Sequence, residues 1–450
     1  MARIEGKHMT EVSRRKFLVT GAAGAAGVFA GGSLLAACGG DDGGGAATTT
    51  AAGTAPPTPA PQINSLTLQS LQSDPVPREA MEEITALWNA QNEPELILNT
   101  VSTEIFRTQL PTYLTSSEPP DAITWLAGSV ARDYARDGLL LDLSDVWESD
   151  FQGFSPALKD LSTDADGRQI FVPTNYYWIS CFYRKSKFEE WGVTPPETWD
   201  DFMSVCETIK SQGADPITMG TGTSAWVASN WFDYLNLRVN GAEYHLELLA
   251  GEHRFDDPEV RETMRYFEQI LPFVDPNGRS FGWQEATTPL AQGNAGMYLI
   301  GAFMTSVLPE DIVPDIDFFR VPIIDPAIPA AEEAPTDGYF VPSRVRSPED
   351  AKRLAAFLGG KDAQQIWIGG NTSRVGTHPD LDTSNVPEMT KRGIDHLNNA
   401  ASLTQFFNRD SSDALQVTAD AALTRFLDQP ENVDSILTEW QTAAEEVFTA

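Results

Sequence analysis

From residue 63 onward the apolar and polar positions fall into two alternating periods. "SLTLQSL" (65–71) alternates with period two and predicts a strand, whereas "REAMEEITALWNAQN" puts Met81, Ile84, Leu87 and Trp88 on one helical face. "ELILNTV" predicts a second strand, and "EIFRTQLPTYLTS" a helix despite its proline. "PDAITWLAG" predicts a third strand ending in a glycine turn, and "SVARDYARDGLL" returns as a helix. Strand and helix alternating at this spacing predict a mainly parallel sheet covered on both faces. Ligands of such sheets bind beyond the carboxyl ends of the strands, where Trp125 sits.

The pattern continues with "GRQIFVPTNYYWISCFYRKSKFEEWG": a strand, a polar aromatic patch, a second strand and a helix. In "TPPETWDDFMSVCETIKSQG", Thr198 is a helix N-cap with Asp201 three residues on, close to a capping box. "PITMGTG" predicts a strand and "SAWVASNWFDYLNLRVNG" an aromatic-rich helical stretch. "FDDPEVRETMRYFEQIL" predicts a helix opened by Asp256 and Pro258. Ala295 to Ile300 predict a buried strand ending near Gly301 and Phe303, and "DIDFFRVPI" and "DGYFVPS" two more. "SPEDAKRLAAFLGG" and "KDAQQIWIGG" predict helices closed by glycines.

Ahead of residue 63 the pattern is different. "FLVTGAAGAAGVFAGGSLLAA" (17–37) is apolar and small, and Arg14, Arg15 and Lys16 precede it. A basic start, an apolar middle and a small-residue exit describe an export signal. The paired arginines resemble a twin-arginine signal, and "LAAC" resembles a bacterial lipobox, cut just before Cys38 so that its sulfur carries the lipid. A membrane-spanning anchor is the rival reading, since the run approaches the ~20 residues of a span. Its many glycines and alanines and its lipobox favour the lipoprotein. Residues 1–38 are therefore assigned to an export signal with lipobox, and the Gly-, Thr-, Ala- and Pro-rich residues 39–63 to a flexible tether. The protein is expected on the extracytoplasmic face of the cell membrane, touching the bilayer only through its lipid.

The remaining length exceeds what one core usually serves, which predicts two domains. The chain has 31 basic and 64 acidic residues, a formal charge of −33. So acidic a chain repels polyanions, which excludes nucleic acid as a partner. Cys181 and Cys206 lie in apolar settings and read as small core residues, with a disulfide left open. The five histidines show no metal-ligand spacing, and neither metal nor cofactor is expected.

Several ordered stretches are similar to the bacterial ABC-transporter extracellular solute-binding proteins of family 1, the carbohydrate-binding group. They are "EPPDAITWLAGSVARDYARDGLLLDLSD", "FVPTNYYWISCFYRKSKFEEWGVTPPETWDDF", "NWFDYLNLRVNGAEY", "FDDPEV", "GNAGMYLIGAF" and "DGYFVPSRVRSPEDAKRLAAFL". The resemblance implies an α/β type II periplasmic-binding-protein fold, two α/β lobes around a ligand cleft with three hinge crossings. The crossings fall near 174–178, 338–343 and 389–395. The first lobe then combines 64–174 with 343–388, and the second 178–338 with 395–450. The implied function is capture of a mono- or oligosaccharide by a monomeric receptor that delivers it to the membrane permease of an ABC importer, with no chemistry on the sugar.

A sugar offers hydroxyls at its edge and C–H groups on its faces, so its site needs aromatic plates and hydrogen-bonding side chains. The aromatic candidates are Trp125, Tyr177, Trp178, Trp226, Trp231, Trp283 and Phe303. The resemblance implies a cleft aromatic at Trp125, and Phe303 stands where relatives often carry the larger Trp. Trp226 and Trp231 lie in a helical stretch, and helical aromatics are more often core. The polar candidates are Glu104, Asn175, Asn230, Glu285, Asp337 and Arg374. Asp337 could instead cap a turn. A secreted glycoside hydrolase would also carry cleft aromatics and carboxylates, but no stretch resembles a catalytic motif. Glycerol phosphate, a peptide or a polyamine would suit the same fold. Anionic cargo would require clustered basic residues, of which the candidate set holds only Arg374.

Overall fold

The computed structural model describes residues 63–370 and 373–449, all within one compact unit, Pro59–Ala450. The export signal, lipobox cysteine and tether lie outside the described residues. The strands of the described residues are, in chain order, β1 (Ser65–Ser70), β2 (Glu95–Thr100), β3 (Ala122–Leu126), β4 (Val172–Tyr176), β5 (Ile179–Arg184), β6 (Asp215–Ile217), β7 (Ala295–Gly301), β8 (Ile316–Phe319), β9 (Glu332–Glu333), β10 (Thr336–Phe340), β11 (Val375–Gly376) and β12 (Leu403–Thr404). They form a six-stranded sheet, β11-β4-β10-β3-β1-β2, a four-stranded sheet, β6-β7-β5-β8, and a two-stranded piece, β12-β9. Each large sheet carries its own helices and defines one lobe.

Neither sheet is purely parallel, which corrects the expectation of a mainly parallel one. β1 pairs in parallel with β2 and β3, as helical crossovers require, but β10 runs antiparallel to β3 and β4. In the smaller sheet β5 runs antiparallel to both β7 and β8. The antiparallel strands of the large sheet are those by which the chain enters or leaves a lobe, so a crossover helix does not set their direction.

The chain crosses between sheets at Tyr177–Trp178, between β4 and β5, and at Ala334–Pro335, between β9 and β10. The second crossing precedes the expected 338–343, because Thr336–Phe340 already pairs within the large sheet. The third lies between β11 and Glu388, ahead of the expected 389–395. Helix Glu388–Asn398 packs on the second lobe, where Arg392 pairs with Asp317 at 2.6 Å and His396 with Glu332 at 3.1 Å.

Local chemistry explains the elements. Helix Pro75–Gln91 buries Met81, Ile84 and Trp88 on the predicted face, with proline in its first turn. Helix Trp199–Ser211 is capped by Thr198, whose side chain accepts the Asp201 N–H. The N-cap of helix Pro258–Ile270 is Asp257 rather than Asp256. Pro111 sits inside helix Thr103–Thr115. Helix Val227–Val239 is buried almost all round, at the centre of the second lobe's core. Cys181 and Cys206 are free, buried thiols in that core, and burial raises the pKa of both.

Candidate functional site

A cavity lies between the two large sheets, where strand ends of both lobes converge. About 820 Å³ of space, part of it continuous with solvent, is free of protein atoms there. The first lobe contributes Trp125 from the end of β3, Asp337 from β10 and Arg374 just before β11. The second contributes Trp226 and Asn230 from the buried helical stretch, and Trp283 and Phe303 from the segments flanking β7. Tyr177, on the first crossing, sits between them.

The rings form a connected wall. Phe303 meets Tyr177 and Trp283 edge to face, both with ring centres 5.1 Å apart, and lies 6.5 Å from Trp226. Trp125 is backed by Phe106, stacked at 5.5 Å and 16°. The wall depends on Gly301: a Cβ there would stand 2.3 Å from the Phe303 ring and 2.8 Å from that of Tyr177.

Behind the rings lies a charged centre. Arg409 donates to Thr336 O (2.5 Å) and to Tyr177 Oη (2.8 Å), and its Nη1 stands 2.9 Å from Asp337 Oδ1. Short helix Phe407–Asp410 brings it there by packing against Gly128, whose φ of +91° suits glycine. A Cβ at Gly128 would stand 2.3 Å from Arg409 O. Arg374 follows Ser373, a non-glycine residue at φ +52° whose hydroxyl lies 2.6 Å from that of Thr305 in the other lobe. Arg374 is 7% exposed, and burial holds its pKa below the ordinary arginine value. Burial likewise raises the pKa of Asp74 at the cavity edge, against the lowering effect of the Gln284 amide and of Arg374.

Two contacts close the mouth. Glu104 accepts from Ser224 Oγ (3.1 Å) and Trp226 Nε1 (3.5 Å), and Arg107 lies 3.8 Å from Asp413.

Of the sequence candidates, Trp125, Tyr177, Trp226, Asn230, Trp283, Phe303, Asp337 and Arg374 line the cavity. Glu104 is at the mouth, and Asn175 lines a small adjoining pocket with Trp125 and Asp337. Three candidates lie elsewhere. Trp178 is sealed in the second lobe's core against Phe182 and Phe318. Trp231 is in the same core beside Phe202. Glu285 is exposed and accepts the Gly282 N–H in a surface turn. The candidate set lacks Asp74, Arg107, Phe406, Asn408 and Arg409, which also line the cavity.

Residues 73–365 match the bacterial extracellular solute-binding protein family. The chain belongs to that family. This solute-binding protein is 25% identical over 262 residues to an ABC transporter extracellular-binding protein of Pyrococcus horikoshii, covering 57% of this chain and 58% of that one. It is also 25% identical over 352 residues to the alpha-glucosides-binding periplasmic protein AglE of Rhizobium meliloti, covering 73% and 75%. Among solved structures, the bacterial solute receptor AcbH, with an exclusive substrate preference for β-D-galactopyranose, superposes with a TM-score of 0.83. That match is 27% identical and covers 86% of this chain and all of that one. The two sheets and the gap between them are thus the two lobes and cleft of a solute-binding protein. No helix among the described residues is long and apolar enough to cross a membrane, and no cluster there could hold a metal ion.

Proposed function

We propose that this solute-binding protein captures a saccharide between its lobes and presents it to the permease of an ABC importer, without transforming it. The observation that carries this reading is the wall of Trp125, Tyr177, Trp226, Trp283 and Phe303, drawn from both lobes and backed by Asp337, Arg374 and Asn230. Ring faces suit the C–H face of a pyranose and the polar groups suit its hydroxyls. A saccharide that touches both lobes only when they meet favours the closed arrangement by its differential affinity. In this reading the protein is monomeric and leaves the cell by the twin-arginine route. Cys38 carries the lipid that holds it on the outer face of the membrane, through the tether.

A thermal-shift screen of neutral and acidic saccharides, followed by calorimetry on the hits, tests the capture. A ligand at a hundred times its dissociation constant stabilises the fold by about 2.7 kcal/mol. A panel that leaves both the melting temperature and the tryptophan emission unmoved sinks the saccharide reading. The anchor is tested separately: Cys38→Ser should release the protein into the medium, and finding residues before Cys38 on the membrane-bound form would refute it.

A further inference from the structure

Three arginines and two aspartates line the cavity: Arg107, Arg374 and Arg409 against Asp74 and Asp337. Arg409 holds Asp337 Oδ1 at 2.9 Å. Arg107 and Arg374 stand farther from their carboxylates, at 3.8 Å from Asp413 and 3.9 Å from Asp337, both beyond hydrogen-bond reach. Arg374 is the more deeply buried of the two, 7% exposed, and two of its nitrogens, Nε and Nη1, have no hydrogen-bond partner among the described residues. Its ring neighbours are Tyr177, Phe303 and Trp367, at 5.9, 6.0 and 5.4 Å. They face the guanidinium as π systems.

The unpartnered buried atoms around the cavity lean the same way, through the arginines. The donors without a hydrogen-bond partner there are Trp125 Nε1, Arg107 Nε, Arg409 Nε and the two Arg374 nitrogens, against the acceptors Asn230 Oδ1, Asn408 Oδ1 and Asp337 Oδ1. Each hydroxyl of a neutral sugar brings a proton with its oxygen. A carboxylate brings two oxygens, about four acceptor sites and no proton. A buried guanidinium with open donors is costly until such a partner arrives.

Resting on the saccharide reading above, we infer that the captured sugar carries a carboxylate, as a hexuronic acid does, and that Arg374 receives it. One guanidinium with two open nitrogens matches the two oxygens and single charge of a carboxylate better than the near-double charge of a phosphate. The −33 formal charge of the chain does not oppose this, because the cavity has its own field.

Calorimetry on the whole chain decides it, with D-galacturonate, D-glucuronate, their methyl esters, D-galactose, D-glucose and glucose 6-phosphate as probes. At least one hexuronate should bind ten-fold or more tighter than both its parent hexose and its methyl ester. Arg374→Gln should cut that preference at least ten-fold. The ester arm uses the unaltered protein, so it holds even if the variant folds poorly. A neutral hexose or ester binding as tightly as the acid overturns the inference but leaves the saccharide reading standing. A preference for the phosphate overturns the carboxylate, and an unchanged preference in a folded Arg374→Gln overturns the residue. If a chain with a cooperative melt binds none of a broader saccharide panel, the saccharide reading fails and this inference with it.

Discussion

Two buried carboxylates stand on either side of the second crossing, and each gathers arginines to a different end. Glu332 collects Arg238 at 2.7 Å, Arg320 at 2.9 Å and His396 at 3.1 Å. Arg238 is used up by the protein, since its other nitrogens donate to Val321 O (3.0 Å) and Ala331 O (2.6 Å). Burial alone would raise the pKa of Glu332, but Arg238, His396 and Arg320 outweigh it and hold the group below its ordinary value. Asp337, four residues after Glu333 and across the crossing, has Arg409 in hand and Arg374 out of hydrogen-bond reach. The first centre is paired at 2.7–3.1 Å within the fold, so it serves stability. The second leaves a buried charge with open donors facing a cavity, which is what a binding site requires.

The largest expected effect separates these centres. Arg238→Met takes the closest cation from Glu332, leaves the Val321 and Ala331 carbonyls without their donor and should destabilise the fold by ~3–5 kcal/mol. Arg374→Met removes a buried charge held only by a 3.9 Å ion pair and ring contacts, and should cost less than ~1 kcal/mol without ligand, or raise stability. Urea melts of the two variants measure both, and equal losses would dissolve the distinction. The same contrast holds for tryptophans of near-equal burial. Trp231→Ala should cost ~3–5 kcal/mol of stability, whereas Trp283→Ala should show a smaller stability loss and a clear loss of saccharide affinity by calorimetry.

How far the sequence revealed the site follows from these residues. Trp125, Phe303 and Asp337 were legible because they stand at or just beyond strand ends, where α/β sheets bind ligands. Tyr177 and Trp178 were not separable, because neighbours in an extended chain point to opposite sides and the sequence does not say which side faces the gap. Trp231 lies on a helix buried almost all round, so no polar face marks its orientation. Arg409 gave no signal at all. It reaches the cavity only because a four-residue helix docks on Gly128, a tertiary contact without periodicity. Without it and Arg107 the candidate set held a single basic residue, Arg374, where anionic cargo would require a cluster. The strand and helix pattern was largely recovered, while strand direction and the second crossing were misread, because pairing partners far along the chain decide both.

The pH dependence sharpens the comparison at smaller magnitude. Burial lifts the Asp410 carboxyl, near the hinge, to about 6 against the lowering effect of the Gln405 N–H. A raised carboxyl favours folding while protonated, so its contribution is present below the ordinary aspartate pKa and lost as pH rises from about 4 to 6. Asp420 is lifted by burial to about 6 as well, so Asp410→Asn should lessen, not abolish, the fall in melting temperature over that window, and an unchanged slope would mean that Asp410 does not contribute to it. Smaller still, Gly301→Ala should displace the Phe303 ring, cost ~1–3 kcal/mol and weaken saccharide binding in calorimetry. Unaltered affinity would show that the ring wall tolerates movement.

The most direct measurement is a crystal structure of the protein with the tightest-binding saccharide of the panel. The account predicts the sugar ring lying between the lobes against the Trp283 and Phe303 wall, with an acceptor oxygen within hydrogen-bond distance of Arg374. A sugar bound elsewhere, or seated in the gap while Arg374 stays unpartnered, would contradict it.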